Sequence, residues 1–350
     1  MMRKSVCIAP FKPADRVLLS CPSNLGAVNS VAIPPAYYQH GMNAAFLYGG
    51  LDVSIKCSDN YESLVDSSDC VLLTIPDKPV RSFARAIEDY AKSTGKEIYR
   101  CTTDNDNQSR LVLGSNSVAS DGLDWISERY SELRTPTIHV VSVCGSLDTF
   151  EVLPKLGQWL FVRQKNAAMI SESPYCGLYG VNRFNLSRAD EEAILELNSI
   201  AAKLEYIYHP FTIIVEHAKP FTSYSDSVHY DFGLSSYGAI HAIPPDIVLC
   251  CIPLNLADPS VLESCAAMLA AATGTDKISY LIGNQITDSS DEIELQRLAI
   301  HYERETVAVE VANRLRSFGA QAFCIYNEQE LDLLGNWLLE GIGNSEWRIL

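Results

Sequence analysis

The residues best able to do chemistry stand directly behind the apolar run Ile138–Cys144. There Gly145 and Ser146 make a turn, Asp148 follows, and a helix-like stretch runs from Phe150 to Val162. Strand, glycine turn and helix is how phosphate-cradling units open, because backbone N–H groups at a helix N-terminus attract anions. A Walker A loop reads G-x-x-x-x-G-K-[ST]. The turn here, CGSLDTFEV, lacks the second glycine, the lysine and a hydroxyl residue directly behind it. That lysine neutralises phosphate charge, whereas Asp148 and Glu151 repel it. Asp148 is placed to cap the helix itself. The expectation is a degenerate P-loop-type turn with ATP or GTP affinity no better than millimolar.

A second group lies in the Tyr- and Ser-rich loop that holds His217, Lys219, Asp226, His229 and Asp231. Two imidazoles and two carboxylates suit a ligand site, or a metal such as Zn, Fe or Mn. They equally suit a solvated loop whose polar groups satisfy one another. The spacing matches no metal signature, so no metal and no cofactor is assigned. Glu216 and Asp226 become a general acid/base pair only if folding brings them together. A third polar loop carries Cys176 and Gly177, and Cys176 is the thiol expected nearest the surface. Gly145, Ser146, Asp148, Cys176, Gly177, His217, Asp226, His229 and Asp231 are thus the candidate ligand contacts. No G-x-S-x-G, H-E-x-x-H or full G-x-G-x-x-G occurs, so hydrolase, zincin and ordinary dinucleotide readings lack their motif.

The elements that must position these residues alternate strand and helix. The first half reads as strands Ser5–Ala9, Val53–Cys57, Cys70–Ile75 and Ile98–Thr102, with helices at 60–65 and Val80–Lys92. Asn24–Gly50 is rich in Pro, Gly, Asn and Tyr and reads as a long loop. A helix around Leu123–Leu133 leads to Arg134-Thr135-Pro136, the expected domain boundary. The second half continues with strands Ile138–Cys144, Ala168–Ser171, Phe211–Val215, Ile247–Ile252, Ile278–Ile282 and Ala322–Tyr326. Its helices are Phe150–Val162, Ala189–Ile207 capped by Ser187, Pro259–Ala272, Asp291–Phe318 and Glu328–Leu339. Continuous apolar strands separated by helices mean parallel sheets covered on both faces. The fold class expected is α/β, with two Rossmann-like domains at 1–134 and 135–350, the second of degenerate P-loop type. In such sheets ligands bind beyond the carboxyl ends of the strands.

Composition narrows the function. The 350 residues are 47% hydrophobic, enough for two cores, and carry a formal charge of −16. That charge speaks against nucleic acid and anionic membranes as partners. No apolar run is long enough to span a membrane, and the N-terminus lacks a signal-peptide core, so a cytoplasmic location is expected. Eleven cysteines without a C-x-x-C read as reduced, mostly buried thiols.

Several stretches together resemble a known family. They are Ala9-Pro10-Phe11, Gly41-Met42-Asn43-Ala44-Ala45 with Gly49-Gly50, Ser68-Asp69-Cys70-Val71-Leu72, and the Thr135-Pro136 entry to an apolar strand. Tyr175-Cys176-Gly177-Leu178-Tyr179-Gly180 and Phe232-Gly233 with Pro245-Asp246-Ile247 complete the set. In these the chain is similar to the peptide maturation system proteins encoded beside radical SAM maturases of cysteine-rich peptides. It departs from them at His209-Pro210-Phe211 and Glu216-His217-Ala218-Lys219, where such proteins tend to carry a glycine-rich turn. The resemblance implies an accessory role in making a ribosomally synthesised modified peptide, with the precursor peptide and the maturase as partners, and it supplies no catalytic residue. Tyr37, Tyr38 and Tyr48 in the first long loop are candidates for the partner surface. The alternative is a diverged nucleotide- or metal-dependent enzyme acting on the peptide or a small molecule. A structural, homo-oligomer-forming role is a third reading.

Overall fold

Parallel strands buried on both faces organise this α/β protein. The computed structural model describes residues 4–12, 15–20, 25–35, 55–76, 78–101, 130–143, 149–184, 190–217, 219–222, 233–288 and 299–343. Contacts divide the chain into two compact units. One is Met1–Ser115 together with Pro174–Gly180; the other is Asn116–Ser173 with Val181–Leu350. A segment from the second half of the chain therefore belongs to the first unit.

In the first unit β1 (Ser5–Ala9), β2 (Ala27–Ala32), β3 (Lys56–Ser58), β4 (Cys70–Leu73) and β5 (Glu97–Arg100) form one sheet. All its pairings are parallel, in the order β3-β2-β1-β4-β5. The chain walks outward from β1 and then crosses back over it to β4, which is the Rossmann order and makes a switch point between β1 and β4. After a short helix, α1 (Val17–Ser20), come α2 (Tyr61–Asp66) and α3 (Arg81–Ser93). Leu64, Val65, Ile87 and Ala91 from these two helices pack on Cys7, Ala9, Ala32, Val71 and Leu73. The strand β2 falls inside the stretch expected to be loop. Its polar Ser30 is buried and bonded to Asn29 and Ser68, so tertiary partners satisfy a segment whose sequence does not look like a strand.

The second unit carries β6 (Thr137–Ser142), β7 (Ala167–Ser171), β8 (Asn182–Arg183), β9 (Thr212–Glu216), β10 (Ile247–Ile252), β11 (Ile278–Ile282) and β14 (Ala322–Phe323). They form a parallel seven-stranded sheet in the order β14-β11-β10-β6-β9-β7-β8. The helices between them are α4 (Thr149–Val162), α6 (Glu191–Tyr208), α7 (Leu234–Ala242), α8 (Pro259–Thr273), α9 (Glu305–Ser317) and α10 (Glu328–Gly343); α5 (Cys176–Tyr179) belongs to the first unit. One core joins α6 and α7 to Ile170, Ile213 and Val215. Another joins α8 and α9 to β10, β11 and β14.

Three expectations need correction. Tyr130–Leu133 is not helical; Ser131 is held by both groups of the Asn198 amide on α6, at 2.7 and 2.9 Å. The helix expected from 291 begins only at Glu305, because Ala299–Tyr302 (β13) pairs antiparallel with β12 (Gln285–Asp288). Asn284 pins the turn out of that hairpin, exchanging bonds with the Glu303 backbone at 2.7 and 2.8 Å. Ser187 lies outside the described residues, and the N-cap of α6 is Asp190, which accepts from Ala193 N at 3.0 Å.

Candidate functional site

The C-terminal ends of the central strands gather the polar groups of the second unit. Successive residues of a strand face opposite ways, so Glu216 at the end of β9 turns toward α4 while Val215 and His217 turn toward α6 and α7. Glu216 is buried. Its Oε1 accepts from Thr149 Oγ1 at 2.6 Å and its Oε2 from Ser171 Oγ at 2.6 Å. One carboxyl thereby ties together the first residue of α4, the end of β7 and the end of β9. Burial pushes the Glu216 carboxyl up to about 7, against the two hydroxyl hydrogen bonds, which favour the anion, and with help from the nearby charge of Glu172.

On the other face His139, in the centre of β6, meets His217. Their Nδ1 and Nε2 atoms are 2.9 Å apart and the rings stand edge to face with centroids at 4.9 Å. Burial keeps both rings neutral, moving His217 down to about 3 and His139 well below the ordinary range. Lys219 follows, its Nζ 3.3 Å from Ser235 Oγ and its carbonyl accepting from Ser236 Oγ at 3.1 Å. A partly open pocket lies among these groups, lined by Ser171, Glu172, Glu216, His217, Lys219 and the first turn of α7 over an apolar floor. Its free space is about 310 Å³ when the mouth is included.

Of the residues singled out in the sequence, Glu216, His217 and Lys219 fall in this site. Gly145, Ser146 and Asp148, Asp226, His229 and Asp231, and Tyr37, Tyr38 and Tyr48 lie outside the described residues. Cys176 and Gly177 belong to the first unit. Cys176 is buried rather than near the surface, because the helical turn that carries it is drawn in at both sides. Tyr175 Oη donates to buried Asp15, and Tyr179 Oη donates to the Val17 carbonyl at 2.9 Å. Asp15 follows β1 near the switch point of the first sheet. Burial raises it to about 6, with Lys12 and the Tyr175 hydroxyl holding it down.

Thr149, Ser171, His139 and Ser235 escaped the sequence reading. Thr149 could have been found by counting. Set against G-x-x-x-x-G-K-[ST], Ser142 takes the first glycine, Leu147 the second, Asp148 the lysine and Thr149 the final hydroxyl. In P-loop NTPases that hydroxyl and an acidic residue on a neighbouring strand hold Mg²⁺ between them. The groups present do not fit that ion. Thr149 and Glu216 bond directly at 2.6 Å, the carboxyl is held near neutrality, and a carboxylate stands in the lysine position. Among the described residues no group of three or more His, Cys, Asp or Glu could hold a metal, and no helix is long and apolar enough to cross a membrane.

Fold and site together define a two-unit α/β protein: a Rossmann-type unit, and a second unit on a degenerate P-loop-type sheet. A DUF1611 family protein from Anabaena variabilis, known from its crystal structure, is similar over 98% of this chain and 100% of that one, with a TM-score of 0.59 and 9% identity. Chloroplast FtsY from Physcomitrella patens is similar over 81% of this chain and 92% of that one, with a TM-score of 0.36 and 9% identity. The first likeness is one of fold, and the second is too slight to carry an argument. No protein-family model and no curated protein matches the chain.

Proposed function

We propose that this protein is a non-hydrolysing accessory factor that binds a precursor peptide or its radical SAM maturase during maturation of a ribosomally made peptide in the cytoplasm. The observation that carries the non-hydrolysing part is the direct Thr149–Glu216 hydrogen bond. It closes onto itself the pair that would otherwise share a metal, and Asp148 in the lysine position reinforces this. The peptide role rests on the family resemblance. Calorimetry with ATP and GTP in the presence of Mg²⁺ tests the first part, and co-purification with the neighbouring maturase and precursor tests the second. The expected results are nucleotide binding no tighter than millimolar and capture of at least one partner. Micromolar ATP binding, or no partner bound above background at tens of micromolar, overturns the proposal.

A second reading is an enzyme acting on the peptide or a small molecule. It is favoured by the pocket at the sheet edge, where a carboxyl titrating near neutrality is suited to proton transfer. A thermal-shift screen with nucleotides, S-adenosylmethionine and divalent metals separates the two. A ligand at roughly 100 times its Kd stabilises the fold by about 2.7 kcal/mol, and no shift with any of them leaves the accessory reading alone.

A further inference from the structure

Open α/β sheets hold their ligands beyond the carboxyl ends of the strands, at the switch point. In the first unit that crevice, at the ends of β1 and β4, is occupied by a remote piece of the same chain. Pro174–Gly180, from the connection between β7 and β8, belongs to this unit. Its Tyr175 hydroxyl donates to Asp15. Asp15 follows β1, is fully buried and also accepts from the Lys12 backbone N–H at 3.1 Å. Thr74, directly after β4, stands beside Asp15, and Cys101, directly after β5, stands beside both Asp15 and Tyr175. The tip of Tyr175 therefore meets the ends of β1, β4 and β5, which are neighbours in the sheet.

This strap is seated as a bound peptide would be. Residues four apart share one side of a helical turn, and Tyr179, four beyond Tyr175, donates to the Val17 carbonyl at 2.9 Å at the start of α1. Cys176 and Leu178 between them are buried. The helix α5 has four residues and no side-chain cap, and a helix so short does not stand by itself, so its shape is imposed by the crevice. Gly180 ends the turn at φ 68°, with open space around it, a conformation that glycine adopts and leaves at little cost. The crevice thus recognises a contiguous run of side chains, which a separate peptide can present equally well. Removing the strap would take a donor from a buried carboxyl, which is costly, so whatever replaces it must bring a hydroxyl to Asp15.

We propose that Pro174–Gly180 is a built-in pseudoligand, and that the crevice it fills is a docking site for a peptide carrying a Tyr-x-x-x-Tyr run with small or apolar residues between. The peptide folds into one helical turn on binding, its first hydroxyl meets Asp15, its second meets the Val17 carbonyl, and the strap is displaced. The crevice and the strap stand on geometry alone. Only the choice of precursor or maturase as the source of the peptide rests on the accessory reading above.

A synthetic peptide with the sequence of residues 173–181, titrated under reducing conditions into the full chain, tests this. The strap competes in cis, so one substitution acts in opposite senses on the two sides. Tyr175→Phe in the chain loosens the strap and should tighten peptide binding about fivefold or more, whereas Tyr175→Phe in the peptide should weaken binding to that variant by a similar factor. Tyr179→Phe repeats the comparison if Tyr175→Phe lowers the yield of folded protein. Amide exchange at 176–180 should accelerate as the peptide saturates the unsubstituted chain, a readout that needs no substitution. No binding to the loosened variants at about 1 mM, effects of the same sign in chain and peptide, or strap exchange unmoved by saturation overturns the proposal. Binding of this peptide by a protein that captures neither precursor nor maturase keeps the crevice and removes the accessory role. Capture of a partner without binding of the peptide does the reverse.

Discussion

Glu216→Gln should make the protein more stable at alkaline pH, although it removes a charged member of a hydrogen-bonded cluster. The folded-state carboxyl sits at about 7 against an ordinary 4.5, with burial as the leading cause. The folded chain therefore binds the proton more tightly than the unfolded chain does. Stability contributed by this group is fully present below about pH 4.5, declines as pH climbs through that window, and is lost above about pH 7. At 1.36 kcal/mol per pH unit the penalty at pH 8 is on the order of 3 kcal/mol. A glutamine has the same shape, stays neutral, accepts from one of Thr149 and Ser171 and donates to the other hydroxyl oxygen.

Urea unfolding of both proteins between about pH 5 and pH 8 reads the effect. The curves should nearly coincide at the acid end, with the variant more stable by about 3 kcal/mol at the alkaline end. Neutral buried His139 and His217 act in the opposite sense, because their stabilisation fades as pH falls below the ordinary histidine range. They and Glu172 are common to both proteins, so the difference isolates Glu216. A variant less stable at pH 8, or a difference independent of pH, would refute the reasoning. It would mean that the two hydroxyls stabilise the anion by more than burial disfavours it.

Three further substitutions probe the framework around the sites. A Cβ at Gly335 in α10 would overlap the Trp159 ring of α4, so Gly335→Ala should cost about 1–3 kcal/mol, visible as a lowered thermal midpoint. Arg316 grips buried Glu330 with two bonds of 2.7 Å. Arg316→Met should cost about 3 kcal/mol in urea unfolding, and pairing it with Glu330→Leu should recover much of that. Tyr175→Phe removes the hydroxyl that helps hold buried Asp15 down. It should cost about 1–3 kcal/mol, raise the Asp15 titration seen by carboxyl NMR above about 6 and steepen the loss of stability as pH rises, and the further change Asp15→Asn should relieve it.

The sequence made the strands legible wherever burial on both faces leaves an unbroken apolar run. Ile247–Ile252 and Ile278–Ile282 are placed to the residue, and a βαβ rhythm predicts parallel sheets of this kind. It failed where a tertiary partner decides the local structure. Nothing within Ala27–Ala32 announces a strand with Asn29 and Ser30 inside it, because the bonds that make those residues tolerable come from Ser67 and Ser68. A helix-like pattern before Glu305 likewise yields to the hairpin, since pairing along Gln285–Asp288 satisfies the backbone of Ala299–Tyr302.

The site divides in the same way. That ligand chemistry would gather at the carboxyl ends of the strands was readable, because a parallel sheet aims every strand end and every following helix N-terminus at one edge. Which residues meet there was not. Thr149 lies 67 positions and Ser171 lies 45 positions from Glu216. They converge because β9 inserts between β6 and β7, an order that no local pattern encodes. Insertion also explains the division of labour between adjacent residues. A strand flanked on both sides can deliver Glu216 to the helix after β6 and His217 to the pocket under α7. Two neighbours in sequence thus serve opposite faces of one sheet, the first bonded to Thr149 and Ser171 and the second to His139.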